Sequence, residues 1–164
     1  MAKMYLMSGC SGVGKTTFAK KFAEENNLLY LGTDEFYALI NGDEIIHENS
    51  FEVWIALYQA IHAAEMNGRD CIVDTNALTI VHRDQFLDWF PTFGHHLFFI
   101  SANEDLRRVN NLSRRRQVPE EKMNEMSVRV QYPRWEILDA RWQSLTWYAN
   151  IGNQLQLVER RKRR

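Results

Sequence analysis

The feature that most restricts what this chain can fold into is a glycine-rich segment near its N-terminus. Residues 9–16 read GCSGVGKT and match the pattern G-x-x-x-x-G-K-[ST] without a gap. An apolar segment, residues 3–7, precedes them, and residues 17–23 after them have helical character. A glycine-rich loop between a strand and a helix can wrap its backbone N–H groups around phosphate oxygens. The sequence therefore predicts a strand, a phosphate-binding loop and a helix in that order.

This loop predicts a nucleotide triphosphate, ATP or GTP, bound together with Mg²⁺. Lys15 is expected to reach the β- and γ-phosphates, and the hydroxyl of Thr16 to bind Mg²⁺. The N-terminus of the following helix adds the positive end of its dipole. The residues expected to contact the nucleotide are Gly9, Ser11, Gly12, Val13, Gly14, Lys15, Thr16 and Thr17.

Apolar runs and helical periodicity alternate along the chain. Short apolar runs at residues 4–7, 28–31, 71–73, 97–100 and 155–158 indicate about five strands. The clearest helix begins at Asn49-Ser50, ends at Asn67-Gly68, and has Phe51, Trp54, Ile55, Tyr58, Ile61 and His62 on one predicted face. A further helical stripe is expected at Trp135, Ile137, Leu138 and Trp142. The alternation predicts an α/β fold, with a buried parallel sheet covered by helices on both faces.

Composition limits the number of domains and the setting of the protein. A chain of 164 residues, 45% of them hydrophobic, can bury one core but not two. We expect one domain over residues 1–158 and a charged, frayed tail over residues 159–164. The two cysteines, Cys10 and Cys71, suit a reducing cytoplasm, and no apolar run has the length of a membrane span. The net charge of −1 excludes a generally basic surface and leaves room for a local basic groove.

Two acidic segments follow predicted strands. Asp34 comes just after the second strand, and the segment Asp74-Thr75-Asn76 follows the third. Because ligands bind outside the carboxyl ends of parallel strands, Asp34 should face the same crevice as the glycine-rich loop. There it can accept a proton from an attacking hydroxyl group. The alternative is that Thr33 or Asp34 caps the next helix, and Asp74 poses the same choice.

Three consecutive arginines, Arg114, Arg115 and Arg116, lie shortly before Val118-Pro119. On their own they are as typical of a solvated, charged face as of a binding site. Beside a phosphate site, a segment over about residues 110–120 that closes over the transferring group is the better interpretation. We therefore predict an arginine-rich lid.

The residues after Asp74 argue against a ring-forming ATPase that hydrolyses its nucleotide. Such enzymes usually carry an acidic pair after this strand, whereas Thr75-Asn76 follows here. The chain also leaves no room for the helical lid domain that such ATPases use to form rings.

The sequence resembles the small P-loop kinases typified by the kinase domain of polynucleotide 5′-kinases. The resemblance rests on residues 9–19, Asp34, the Asp-Thr-Asn turn at 74–76, the Asn/Arg-rich segment 110–119, and Met123, Met126 and Tyr132-Pro133. It covers nearly the whole chain. It implies that Asp34 is the general base and that Asp74 and Asn76 help to build the acceptor pocket. It also implies that a lid arginine, best matched by Arg114 with Arg115 and Arg116 as competitors, binds the β- and γ-phosphates.

Three functions remain open on the sequence. The resemblance favours transfer of the γ-phosphate to the 5′-hydroxyl end of RNA or DNA. The second alternative is a kinase for a small molecule such as a nucleoside, a sugar acid or a modified base, and the third is a non-catalytic ATP-binding module. A basic groove leading from Asp34 to the surface would favour the first, and a closed apolar pocket would favour the second.

Overall fold

A six-stranded sheet forms the centre of the computed structural model, which describes residues 1–46 and 48–163. In chain order the strands are β1 Lys3–Ser8, β2 Leu29–Gly32, β3 Cys71–Asp74, β4 Gly94–Ala102, β5 Trp142–Ile151 and β6 Gln154–Lys162. Across the sheet their order is β2-β3-β1-β4-β5-β6. The first five are parallel, and β6 runs antiparallel to β5. The predicted α/β class and parallel sheet are confirmed, with one strand more than expected.

Helices cover both faces of the sheet, as predicted. They are α1 Lys15–Asn26, α2 Thr33–Asn41, α3 Ser50–Met66, α4 Ile80–Trp89, α5 Glu104–Leu112 and α6 Glu120–Arg129. Successive residues of a buried strand point to opposite faces, so one strand supplies two cores. In β1, Leu6 packs with α3 and α4 on one face, and Met7 packs with α1 on the other.

Strand β5 was not predicted, and the helical stripe expected to end at Trp142 is wrong. Trp142 instead begins β5, where it is fully buried and its indole N–H donates to Asp84 at 3.0 Å. The buried polar residues Thr146 and Asn150 interrupt the apolar pattern of this strand. The strand is therefore hard to recognise from its sequence. It is buried because it lies between β4 and β6 in the sheet.

The charged segment at the C-terminus is also different from the prediction. Residues 159–162 are the last residues of β6 rather than a frayed tail, and Arg164 lies outside the described residues. The guanidinium of Arg163 stacks 4.6 Å from the ring centroid of Trp135 and donates to the carbonyl of Trp142 at 3.0 Å. Pairing with β5 and these contacts order a segment whose charges alone favour solvent.

Helix α3 has the predicted bounds but buries a different face. Its buried side chains are Val53, Leu57, Ile61 and Ala64, so the predicted stripe is right at Ile61 and only in part at Trp54 and Tyr58. Phe51, expected on the buried face, is 74% exposed. Trp54 and Tyr58 lie between these two sides and are partly buried. Aromatic residues on more than one side of a helix make its period ambiguous, which explains the error.

None of the described helices is long and apolar enough to cross a membrane. Cys10 and Cys71 are both buried and form no disulfide. Within residues 1–46 and 48–163, no group of three or more His, Cys, Asp or Glu side chains is arranged to hold a metal ion.

Two adjacent buried histidines in β4 should make the fold sensitive to acid. Burial lowers the pKa of both His95 and His96 to about 4 from 6.5. The unfolded chain therefore takes up protons first, and stability present above pH 6.5 is lost as the pH falls towards 4. Between about pH 7.5 and about pH 5, each histidine should lower the free energy of unfolding by about 2 kcal/mol.

Urea denaturation of the wild type and a His95→Leu variant at these two pH values tests this. In the variant, the part of the change in unfolding free energy that the two histidines cause should be about half of that in the wild type. The same pH dependence in both proteins would contradict the assignment.

Candidate active site

The glycine-rich loop connects β1 to α1 and has the backbone geometry of a phosphate cradle. Two of its glycines cannot carry a side chain. Gly9 and Gly12 have φ angles of 141° and 83°, in the region that favours glycine. A Cβ atom would lie 2.3 Å from the carbonyl oxygen of Ile100 at Gly9, and 2.5 Å from that of Arg107 at Gly12. The loop therefore depends on glycine at these positions for its conformation and for its close packing.

Four consecutive carbonyl groups of the loop accept hydrogen bonds from side chains. The donors are Lys15 to Cys10 at 2.8 Å, Arg107 to Ser11 at 3.0 Å, Asn110 to Gly12 at 2.8 Å and Asn150 to Val13 at 2.9 Å. A carbonyl and the N–H of its peptide point in opposite directions. Holding the carbonyls outward therefore presents the N–H groups to an anion on the other side. Sequence analysis missed the last three donors, which lie about 100 or more residues away along the chain.

Arg107 also joins the loop to the elements that flank the predicted lid. It lies on α5 and is 4% exposed. Besides Ser11, its guanidinium donates to the hydroxyl of Ser127 at 2.6 Å and to the carbonyl of Met123 at 3.2 Å, both on α6. The base of the lid and the phosphate loop are therefore fixed to each other.

Lys15 and Thr16, at the start of α1, occupy the predicted positions. The Lys15 side chain is buried, and burial lowers its pKa to about 8. The hydroxyl of Thr16 donates to Oδ2 of Asp74 at 2.6 Å. Asp74, at the end of β3, therefore lies beside the residue expected to bind Mg²⁺.

Tyr30 on β2 holds the same carboxylate and was missed by sequence analysis. Its hydroxyl donates to Oδ2 of Asp74 at 2.9 Å. Burial, with Asp74 beside it, raises the pKa of the Tyr30 phenol, so the phenol stays a donor. A Cβ atom at Gly32 would lie 2.3 Å from the Tyr30 hydroxyl oxygen. Gly32 thus provides the space that this hydroxyl occupies.

The oxygens near Thr16 fit a magnesium ion. Both hydrogen bonds to Asp74 use Oδ2, and Oδ1 accepts none from the described residues. Hydroxyl and carboxylate oxygens are the ligands that Mg²⁺ prefers, and it usually keeps several waters as well. Thr16 directly, and Asp74 directly or through water, can hold the ion against nucleotide phosphates.

Asp34 faces the lid rather than the end of its own helix. It lies in the first turn of α2, whose N-cap is Gly32, and no side chain caps this helix. Its Oδ2 accepts a hydrogen bond from Arg114 at 3.0 Å, and its Oδ1 lies 3.9 Å from Arg116. The third lid arginine, Arg115, pairs with Asp43 at 2.8 Å. The arginine cluster is therefore paired with carboxylates, in contrast to the alternative of a solvated face.

A cavity of about 1090 Å³ brings most of the predicted site residues together. Of these residues it contains Ser11, Gly12, Gly14, Lys15, Thr16, Thr17, Asp34, Asp74, Asn76, Arg114, Arg115 and Arg116. Gly9 and Val13 of the loop do not line this cavity, and the Gly9 N–H donates to the carbonyl of Asn76 at 2.9 Å. Contact with a nucleotide stays a prediction for these two residues and for those that line the cavity.

Comparison with known proteins agrees with this architecture. Residues 4–133 match a family model described as an AAA domain. A sugar kinase from Janibacter sp. HTCC2649 is 17% identical, with a TM-score of 0.67 over 91% of this chain and 86% of that chain. Kti12 from Chaetomium thermophilum, solved in complex with ADP-AlF3, is 16% identical, with a TM-score of 0.65 over 89% and 88%. The comparison with curated proteins found no match.

A chain of the Pnkp1/Rnl/Hen1 RNA repair complex has a TM-score of 0.69 at 18% identity, over 80% of this chain and 44% of that chain. At identities this low, the likeness establishes the shared fold alone. The fold common to these structures is that of the P-loop kinases.

The lowered pKa of Lys15 predicts that nucleotide affinity depends on pH. A bound phosphate favours the protonated ammonium, so affinity should fall as the pH rises above about 8. For ADP, whose phosphates are fully ionised in this range, the loss between about pH 7.5 and about pH 9.5 should be about 25-fold. Isothermal titration calorimetry measures it.

The matched control is Lys20→Met, which removes an exposed lysine of the same cavity and should keep the pH dependence. The Lys15→Met variant should bind ADP weakly at both pH values. Affinity of the wild type that does not change with pH would show that Lys15 does not bind the phosphates.

Removing the Tyr30 hydroxyl should weaken the magnesium site without unfolding the protein. Tyr30→Phe leaves Asp74 held by Thr16 alone, and outer partners of this kind typically change metal affinity by about 10- to 100-fold. We expect a higher Mg²⁺ concentration for half-maximal nucleotide binding, and unchanged affinity for nucleotide in EDTA.

Gly32→Ala should have the same effect, because its new methyl group displaces the Tyr30 hydroxyl. Tyr132→Phe, in a half-exposed tyrosine that packs on Phe99, serves as the control. If Tyr30→Phe and Tyr132→Phe required the same Mg²⁺ concentration, Tyr30 would have no part in the site.

Proposed function

We propose that this chain transfers the γ-phosphate of ATP to a hydroxyl group of an acceptor. The chain belongs to the family described as an AAA domain and has the P-loop kinase fold, which is the basis of this proposal. The observation that carries this proposal is the placement of Asp34 and Arg114 in the cavity of Lys15 and Thr16. A carboxylate and a mobile guanidinium opposite a phosphate cradle are the groups that phosphoryl transfer requires.

Asp34 acts as the general base of the proposed reaction. It accepts the proton of the acceptor hydroxyl as that oxygen forms its bond to the γ-phosphorus. The bond from this phosphorus to the bridging oxygen of ADP breaks, and ADP leaves. Mg²⁺ held at Thr16 and Asp74 neutralises charge on the phosphates when it is bound. Lys15 does the same from the loop side.

Arg114 has two partners in the proposed cycle. Without nucleotide it pairs with Asp34, and both side chains are about one third exposed, at 32% and 35%. Such pairs contribute little to stability, so a phosphate can replace the carboxylate at low cost. Movement of Arg114 to the γ-phosphate then leaves Asp34 free to accept a proton. The guanidinium stabilises the transition state, in which charge is spread over the phosphoryl oxygens.

The other functions have less support. Asp74 is followed by Thr75 and Asn76, so a second carboxylate that would activate water is missing at this position. Lys15, Thr16, Asp34 and Arg114 line one cavity, which a non-catalytic module would not need. A cytoplasmic location, where ATP is abundant and thiols stay reduced, suits the activity and the two free cysteines.

The acceptor enters from the side of β2 and β3, because Asp34 follows β2 and Asp74 ends β3. Both a 5′-hydroxyl end of nucleic acid and a small molecule meet the requirement for a hydroxyl group. Among the similar structures, one is a sugar kinase and another belongs to an RNA repair complex, so each alternative has some support.

Asp34→Asn tests the proposed base. The amide keeps the size of the side chain and cannot accept the proton, so transfer should fall by roughly 10²- to 10⁴-fold with ATP affinity largely unchanged. The assay follows labelled γ-phosphate into a panel of 5′-hydroxyl DNA and RNA, nucleosides and sugars.

The control is Glu24→Gln, which removes an exposed carboxylate of α1. Normal transfer by Asp34→Asn together with a lowered melting temperature would assign Asp34 a structural role. ATP binding without transfer to any acceptor would overturn the kinase function.

A further inference from the structure

The cavity wall beyond Asp34 is largely aromatic. Helices α2, α3 and α4 contribute the rings of Tyr37, Trp54, Tyr58 and Phe86. Trp54 and Tyr58 are partly buried, and their ring centroids lie 5.6 Å apart. Tyr58 in turn meets Phe86 edge-on at 6.2 Å. Tyr37 and Phe86 are buried, so Trp54 and Tyr58 supply most of the ring surface that an acceptor can contact.

The part of this wall that α2 and α3 form carries only negative formal charge. Residues 33–68, which include α2 and α3, contain no lysine or arginine. Their carboxylates are Asp34, Glu35, Asp43, Glu44, Glu48, Glu52 and Glu65. The one arginine of α4, Arg83, is buried and donates to the carbonyls of Thr79 and Gln131 instead of entering the cavity.

The cations of the cavity come from its other side and already have partners. They belong to the glycine-rich loop, α1, the lid and α6. Lys20 pairs with Glu35 at 3.0 Å, and Arg129 with Glu125 at 3.0 Å. A bound triphosphate draws Lys15 and Arg114 to itself. Asp34 and Glu44 then remain on the acceptor side, with Arg116 of the lid 3.9 Å from Oδ1 of Asp34.

Helices α2, α3 and α4 therefore send no lysine or arginine into the cavity to bind an acceptor with negative charge, and Arg116 of the lid already has Asp34 as its partner. A nucleic acid adds one negative charge per nucleotide, and proteins that bind it neutralise phosphates with lysine and arginine. Near Asp34 and Glu44 such charges are repelled instead. The basic groove that would favour a polynucleotide does not lead away from Asp34 through α2 or α3.

The wall suits a small compound without negative charge. Its rings can stack on a sugar or heterocycle, and they attract an amine through cation–π contacts. The Gln85 amide, at the same wall, forms no hydrogen bond with the described residues and can bind a polar group of the acceptor. Glu44 can accept a hydrogen bond from a hydroxyl or an amine.

We propose that the acceptor is a small hydroxyl compound that is neutral or carries an amine, held against Trp54 and Tyr58. This inference rests on the kinase function proposed above and names the class of its acceptor. It favours the small-molecule alternative, and excludes sugar acids and nucleic acid ends from it.

Matched acceptors that differ in charge test the proposal. One set compares glucosamine, glucose and glucuronate, and a second compares thymidine, thymidine 3′-phosphate and a 5′-hydroxyl oligonucleotide. A library of hydroxyl compounds, screened by thermal shift in the presence of Mg²⁺ and a non-hydrolysable ATP analogue, extends the search. The best acceptors by kcat/KM should be neutral or amine-bearing, and should exceed their anionic counterparts at least about tenfold.

Equal or faster transfer to an anionic member would overturn the acceptor class and leave the kinase function intact. Failure of every neutral and amine-bearing compound, in the sets and in the library, would also overturn it. ATP binding without transfer to any compound would overturn both.

Variants of the wall separate a binding role from a structural one. Trp54→Ala should raise the KM for the acceptor about tenfold or more and leave ATP affinity unchanged. Phe51→Ala, on the exposed side of the same helix, is its control. Glu44→Gln should raise the KM of amine-bearing acceptors alone, whereas Glu52→Gln on α3 should leave this KM unchanged. Equal effects of Trp54→Ala and Phe51→Ala on KM would place the acceptor elsewhere.

Discussion

The phosphate site depends on the side chains that hold the carbonyl groups of residues 10–13. Lys15, Arg107, Asn110 and Asn150 come from three different elements, so the loop is shaped by α1, α5 and β5 together. Arg107, like Lys15, is a buried cation that must find polar partners. It finds them in the loop and in α6, which fixes the two ends of the lid to the cradle. The residues between α5 and α6 are then the part of this region that can move over a bound nucleotide.

The charged side chains of the cavity are divided between two regions of the chain. The P-loop, α1, the lid and α6 supply the cations of the cavity, and residues 33–68 supply carboxylates without any lysine or arginine. Asp34 and Arg114 lie where the two regions meet, and their pair joins them in the absence of nucleotide. In the proposed cycle a triphosphate competes with Asp34 for Arg114. This ion pair would then link nucleotide binding to exposure of the proposed base.

Sequence predicted the features that are encoded locally. The glycine-rich loop, the strands β1 to β4, the long helix α3 and the arginine-rich lid each have a pattern within a short segment. Strand β5 and the buried side of α3 were missed, because their burial depends on neighbours distant in sequence. The roles of Tyr30 and Arg107 were missed for the same reason. Asp74 was assigned to the acceptor pocket by resemblance, and the hydrogen bond that it accepts from Thr16 places it beside the residue expected to bind Mg²⁺.

The central claim is that Arg114 leaves Asp34 when phosphate arrives and that Asp34 then faces the acceptor. A crystal structure with Mg²⁺, ADP and aluminium fluoride, which imitates the transferring phosphoryl group, tests it most directly. We expect the guanidinium of Arg114 to bind the fluoride and Asp34 to lie beyond hydrogen-bond distance of it, open to the aromatic wall. An Arg114 that still binds Asp34, with the fluoride held by other groups, would contradict the account.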